Sequence, residues 1–488
     1  MHDDRFATVP GSHGALRGHR RGDGAVFLGI PFAAPPVGPD RWRPPRPLRG
    51  WSGVRDALAF GPDFPQPPDP HFRAATQDED CLYLNVWTPT LDAGARLPVL
   101  VWLFGGGYLT GSGSDVHYDG TRLAAEGAVV VTVNYRCGLF GFLAHPALGA
   151  ESPQGVSGNY GLLDQMAALA WVRDNIAAFG GDAGRLTAFG FSAGAASLSL
   201  LLTSPRAEGL CERAILQSPG AARPLASLEE AQRAGLALGD DLAALRALPA
   251  REVLARTSLL TPAVRGLTTP RVLRPIRDGW LIPQDERAAF RAGRLRSMPV
   301  IVGSNVDEGS LLTRAWPVDT VADWRRQVEA NFGASAAEAA ALYPAATDAE
   351  ARPAVAALFA DTQFNAGTRL LARTMAAREP RTWKYLFTRR RPGQTDGPHH
   401  GAEVGHVFGN LDAGATGRHD ADDEALSLRM RQAWVRFAAT GDPNGPGLAR
   451  WDAYRTGDDN HLAFGEAILP GAGWRRAQLD FLDRFFAA

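Results

Sequence analysis

The sequence predicts an α/β protein with a mostly parallel central sheet flanked by helices, and two observations carry that prediction. Short apolar runs end again and again in glycine-rich or polar turns, and stretches of helical periodicity separate one run from the next. The 488 residues, 45% hydrophobic and 21% charged, show ordinary globular usage and permit a deep core. One domain spanning 1–488 is expected, because large α/β cores with insertions reach this length.

Six strands can be placed from the apolar runs. Residues 97–104 open onto Gly105-Gly106-Gly107, and 128–135 is a β-branched run of the kind buried on both faces. Residues 186–189 run into Gly190, 213–217 into Ser218-Pro219-Gly220, and 299–302 into Gly303-Ser304-Asn305. The sixth is 383–388. Over 162–178 the apolar residues Leu163, Met166, Ala167, Ala170, Trp171 and Ile176 fall close to helical spacing, and Gly180-Gly181 ends the element. That pattern predicts an amphipathic helix on the sheet. Segments 221–296 and 311–380 are rich in Ala, Leu, Arg and Glu and lie between strands, so they read as helical cap or wall insertions. The first 75 residues, heavy in proline and glycine, predict extended loops and edge strands lying over the sheet.

Composition narrows the function classes. Lys plus Arg number 51 against 52 Asp plus Glu, which leaves no field to draw in nucleic acid or an anionic membrane. Lys384 is the sole lysine, and Arg389-Arg390-Arg391 reads as a solvated turn rather than a phosphate clamp. No run approaches the ~18 apolar residues of a membrane helix, and the amino terminus shows no basic and apolar leader pattern. A cytoplasmic protein without membrane insertion is expected, as a monomer or weak homo-oligomer. Cys81, Cys137 and Cys211 lie far apart without C-x-x-C spacing, so they read as reduced, buried thiols, and neither metal nor cofactor is expected.

The chemistry is concentrated in a few residues. Gly190-Phe191-Ser192-Ala193-Gly194 is a G-x-S-x-G between a strand and a helix-forming segment, the nucleophile elbow of α/β-hydrolase folds. Such a turn lifts Ser192 out of the sheet, and the helix behind it aims free amides at developing negative charge. Three glycines after the first strand cost conformational entropy that a plain turn does not require. They predict an oxyanion hole made by the amides of Gly106, Gly107 and Ala193. In this fold the acid and the histidine follow the serine. Asp307 and Glu308 compete for the first role, and His399 and His400, on the loop beyond the sixth strand, for the second, with His406, His419 and His461 further downstream. Spacing does not choose between neighbours.

These motifs, with others along the chain, resemble the type-B carboxylesterase and cholinesterase-like family. Residues 27–33, Asp40-Arg41-Trp42, 79–87, 158–197, 303–309, 400–403, 407–409 and 440–444 are similar to its patterns over almost the whole chain. The resemblance implies Glu308 as the acid and His400 as the base, and it implies structural ion pairs of Arg41 with Glu79 and Arg136 with Asp164. Three departures stand out. Phe191 occupies a position where the family commonly has Glu, so Glu403 is expected to bond elsewhere, with Ser218 or water. Phe104 precedes the glycines in place of His or Tyr, and Phe64 stands where secreted relatives have a cysteine, leaving Cys81 unpartnered.

The resulting expectation is a serine carboxylesterase acting through Ser192, His400 and Glu308 on small to medium, mostly apolar esters. Phe104, Tyr108, Phe191 and Phe364 are the expected pocket walls. The same triad acting on an amide, carbamate, lactone or thioester is the alternative, and an inactive binding or adhesion homologue is a further one.

Overall fold

The computed structural model describes residues 5–261, 266–394, 396–413 and 418–487. Thirteen strands join one sheet. Its centre is parallel and runs in the order β7 (Val129–Val133), β6 (Leu97–Leu103), β8 (Gly181–Phe191), β9 (Arg213–Gln217), β10 (Val300–Asn305), β11 (Thr382–Phe387) and β12 (Asn460–Phe464). Every residue of β7, Val-Val-Val-Thr-Val, is buried, as a strand covered on both faces requires. Each such valine contributes about 1.5–3 kcal/mol of burial.

Both flanks are antiparallel. β13 (Ile468–Ala472) closes one edge, while β1 (Phe6–Val9), β2 (Ala15–Arg21), β3 (Gly24–Pro31) and β5 (Tyr83–Thr88) continue the sheet from β7, with the short β4 (Val54–Asp56) paired to β2. The amino-terminal strands therefore extend the sheet instead of lying over it. Their alternating side chains place Leu16, Phe27 and Ile30 in the main core, and that burial decides the register.

The helix expected over 162–178 covers Tyr160–Asn175 and tightens into a 3-10 turn at Ile176–Phe179, which Gly180 ends in a left-handed conformation. Its buried stripe is mostly apolar, Leu162, Ala168, Leu169, Trp171, Val172 and Ile176, and carries Asp164 and Gln165 with it, while Leu163, Met166, Ala167 and Ala170 are half-buried. Asp164 faces inward to hold the buried Arg136 at 2.7 and 2.8 Å. Arg41 and Glu79 form the second ion pair.

Helices Leu228–Gly235, Leu242–Ala247, Ala250–Ala255 and Glu286–Arg291 lie between β9 and β10. Val321–Phe332, Ala336–Leu342, Asp348–Ala360 and Ala366–Ala376 lie between β10 and β11. The second set builds its own apolar cluster around Trp316, Trp324, Phe332 and Phe359. Between its last two helices the backbone makes a π-helical turn, Asp361–Asn365. Asp361 is tied there to Arg475 and to the Tyr343 hydroxyl at 2.8 Å.

Arg389 departs from the expected solvated turn. It is buried, donating to Asp423 and Asp420 at 2.7 Å each, acids supplied by the start of helix Ala421–Thr440. The three cysteines are unpaired and buried. No helix among the described residues is long and apolar enough to cross a membrane.

Candidate active site

Because the central strands are parallel, their carboxyl ends gather along one edge of the sheet, where α/β proteins place their ligands. β6 delivers the three glycines, β8 delivers Ser192, β9 delivers Ser218, β10 leads to Glu308, and β11 leads to the loop carrying His400.

Ser192 sits between β8 and helix Ala193–Thr203 at φ 53°, ψ −116°. A non-glycine residue in such a conformation costs about 1–3 kcal/mol and needs its surroundings to hold it. Here the Ser192 amide donates to the Gln217 carbonyl at 2.9 Å, and the Ser192 carbonyl accepts from Ala196 at 2.8 Å. Gly194 permits the close crossing of the elbow over β6, since a Cβ at 194 would lie 2.0 Å from the Leu103 carbonyl oxygen.

Three side chains converge in sequence. The Ser192 hydroxyl lies 2.9 Å from His400 Nε2, and His400 Nδ1 bonds Glu308 Oε2. The other oxygen of Glu308 accepts from the Ser218 hydroxyl at 2.5 Å and from the Asn305 amide at 2.6 Å. Glu308 is fully buried and His400 nearly so. The imidazole is also flanked by aromatic rings, Phe191 with its centroid at 4.5 Å and Phe364 at 4.3 Å. The competing residues have other tasks. Asp307 accepts from the Ser310 amide at 3.0 Å at the start of the short helix Ser310–Thr313, and His399 Nδ1 lies 3.1 Å from the His400 carbonyl. His406 faces Asp423, and His461 is buried, its pKa pushed down to about 4 mainly by burial. His419 stands by Asp412.

The glycine loop runs beside Ser192. A Cβ at Gly105 would lie 3.1 Å from the Ser192 Cβ, and Gly106 holds φ 113° with the Thr110 carbonyl packed where a side chain would go. Among the described residues the amides of Gly106, Gly107 and Ala193 donate to no protein acceptor. Unused amides close to a reactive hydroxyl are what stabilisation of a tetrahedral oxyanion requires.

Glu403 is not held by Ser218, which is committed to Glu308. It accepts from Gln217 Nε2 at 3.2 Å and Asn305 Nδ2 at 2.6 Å, side chains at the ends of β9 and β10. Burial, then the nearby charge of Glu308, pushes its carboxyl up to about 7. Asn305 thus binds both carboxylates, one through its backbone and one through its side chain. Sequence reasoning had no signal for it beyond its place in the 303–309 stretch.

The four expected pocket residues separate. Phe191 and Phe364 touch the imidazole. Phe104 is fully buried, stacked on Tyr135 at 4.1 Å, and presents no surface to a ligand; the flat ring behind it makes the core the better partner. Tyr108 packs edge-on to Phe142 and lies under the guanidinium of Arg274. A cavity of about 520 Å³ lined by Trp451, His461, Leu462 and Arg476 takes none of its walls from the loops around Ser192, so chemistry and not volume marks the site. Among the described residues no cluster of acidic, histidine or cysteine side chains is arranged to hold a metal.

Comparison with known proteins agrees with this architecture. A para-nitrobenzyl esterase structure superposes with a TM-score of 0.85 at 32% identity, covering 97% of this chain and 99% of that one. The fold is that of an α/β-hydrolase. A profile described as "Carboxylesterase family" matches residues 5–481. Curated relatives include a fumonisin B1 esterase of Sphingopyxis macrogoltabida, 46% identical over 94% of this chain and 86% of its own length. A para-nitrobenzyl esterase of Bacillus subtilis is 34% identical over 91% of this chain and 92% of its own length. The chain belongs to the carboxylesterase family and is a carboxylic ester hydrolase.

Proposed function

We propose that Ser192, His400 and Glu308 hydrolyse carboxylic esters through an acyl-enzyme. The observation that carries this reading is the unbroken chain from the Glu308 carboxylate through the imidazole to the Ser192 hydroxyl, 2.9 Å from Nε2. With Nδ1–H donated to Glu308, Nε2 is free to accept the Ser192 proton as Oγ attacks the ester carbonyl. The carbonyl oxygen becomes an alkoxide within the amides of Gly106, Gly107 and Ala193, each such donor being worth about 3 kcal/mol in the transition state. His400 then returns the proton to the departing alcohol, and water repeats the attack on the acyl-enzyme. Glu308 stabilises the imidazolium without taking its proton.

Phe191 and Phe364 give the region beside the imidazole an apolar character suited to hydrocarbon groups next to the scissile bond. The fumonisin B1 and para-nitrobenzyl esters named for the relatives are the first natural and synthetic substrates to assay. Ser192→Ala is expected to abolish turnover of p-nitrophenyl esters and labelling by a fluorophosphonate while the thermal melt stays that of the parent. Full turnover by that variant overturns the assignment. A parallel panel of amides and carbamates measures how far the same machinery reaches beyond esters.

A further inference from the structure

Six arginines are buried among the described residues: Arg41, Arg136, Arg274, Arg369, Arg389 and Arg431. Five of them hold carboxylates, Arg41 on Glu79, Arg136 on Asp164, Arg369 on Asp480 and Asp483, Arg389 on Asp420 and Asp423, and Arg431 on Glu126. Arg274 is the exception. It is 5% exposed, forms no ion pair among the described residues, and its Nε is buried without a hydrogen-bond partner. Taking a guanidinium out of water without a direct hydrogen-bonded partner is costly, and a carboxylate on a ligand would supply that partner.

Its position says which ligand. The Arg274 guanidinium stands 5.5 Å from the ring centroid of Tyr108, the residue directly after Gly107 of the glycine loop. Arg223, on the turn that follows Ser218, stands 5.6 Å from the centroid of Phe364, the ring that touches His400. Both guanidiniums ease the burial-raised pKa of the Tyr108 hydroxyl, so they act on the same small volume. One carboxylate shares it, Glu286, whose oxygens are already taken by the Ser199 hydroxyl and the Ala222 amide. Glu286 therefore leaves Arg274 without a direct ion pair.

We propose that Arg274 forms an anion subsite that receives a carboxylate carried by the ester substrate, separate from the scissile ester group. The planar guanidinium suits a carboxylate bidentately, and fixing that second group aligns the ester carbonyl with Ser192. This rests on the esterase reading above and adds to it: hydrocarbon lies against Phe191 and Phe364, and the free acid lies against Arg274.

The test compares matched substrates. The p-nitrophenyl monoester of glutaric acid is set against p-nitrophenyl valerate, which places the charge on the acyl side, and 4-acetoxybenzoate against phenyl acetate, which places it on the alcohol side. In at least one pair the ratio of kcat/KM for the charged over the neutral ester is expected to fall tenfold or more in Arg274→Leu and to recover in part in Arg274→Lys. Should the leucine variant not fold, Arg274→Gln and inhibition of the wild-type enzyme by glutarate compared with valerate give the same reading. Ratios unchanged by substitution in both pairs, or glutarate binding no better than valerate, overturn the subsite. Turnover of the neutral esters, lost in Ser192→Ala, reports separately on the esterase reading.

Discussion

Replacing Glu308 by glutamine tests the carboxylate with almost no change in shape. In the native site one oxygen takes the Nδ1 proton of His400 and the other takes the hydrogens of Ser218 and Asn305. A glutamine offers one acceptor and one donor, so it satisfies only one side. If its oxygen keeps the Asn305 amide, its NH2 faces Nδ1 and forces the proton to Nε2, where it blocks transfer from Ser192. If its oxygen keeps Nδ1, its NH2 meets the Asn305 N–H, leaving a buried donor unpaired at about 1–3 kcal/mol. To that is added the loss of the negative charge that balances the imidazolium, about 3 kcal/mol for a fully buried partner. The charge term alone amounts to about 10²-fold in kcat, the misplaced proton acts in the same direction, and the unpaired donor lowers stability. Initial rates with p-nitrophenyl acetate measure this, beside a thermal melt to show that the variant is folded. A folded Glu308→Gln enzyme within tenfold of the parent would mean that the carboxylate neither sets the tautomer nor supports the charge, and the reasoning would fail.

Gly194→Ala sets a methyl group against two backbone oxygens, 2.0 Å from that of Leu103 and 2.6 Å from that of Phe104, so it should destabilise the fold by about 3 kcal/mol or more, read as a lowered melting temperature or insoluble expression. A melt matching the parent would show that the crossing of the elbow over β6 is looser than its geometry. Glu403 predicts a pH effect on stability. Its carboxyl rises from the ordinary 4.5 to about 7 in the folded chain, so the folded state keeps a proton that the unfolded state releases; this contribution is complete below about 4.5 and is lost as pH climbs through 7. Glu403→Gln should flatten that part of the curve, and identical slopes between pH 5 and 8 for variant and parent would count against it.

The turn at Ser192 was legible where backbone and chemistry coincide. The strand, the glycines on either side of Ser192 and the helix behind it can all be read from residues 186–202, because a sharp turn between two regular elements demands small residues. Adjacent pairs were not separable by spacing. Asp307 and Glu308 occupy neighbouring places on one loop; the resemblance favours Glu308, and the tertiary structure shows Asp307 turned to the Ser310 amide while Glu308 reaches the imidazole. Arg389 looked solvated because its two acids arrive from a helix some thirty residues later. The inward turn of Asp164 was legible only through the resemblance that pairs it with Arg136. Arg274 belongs to no motif, and its isolation is visible only against the pairing of the other buried arginines. The strands β1–β3 lay hidden in glycine and proline, where alternation is too short to stand out.

The π-helical turn at Asp361–Asn365 links distant stretches of chain. It sets Phe364 beside the imidazole, and its first residue is moored to Arg475, just ahead of the carboxy-terminal helix Arg476–Phe485. Arg475 follows Ser192, Glu308 and His400 along the chain, so the wall beside the imidazole takes its anchor from a stretch synthesised after all three. A cut ahead of Arg475 would remove that anchor and act at the imidazole through Phe364.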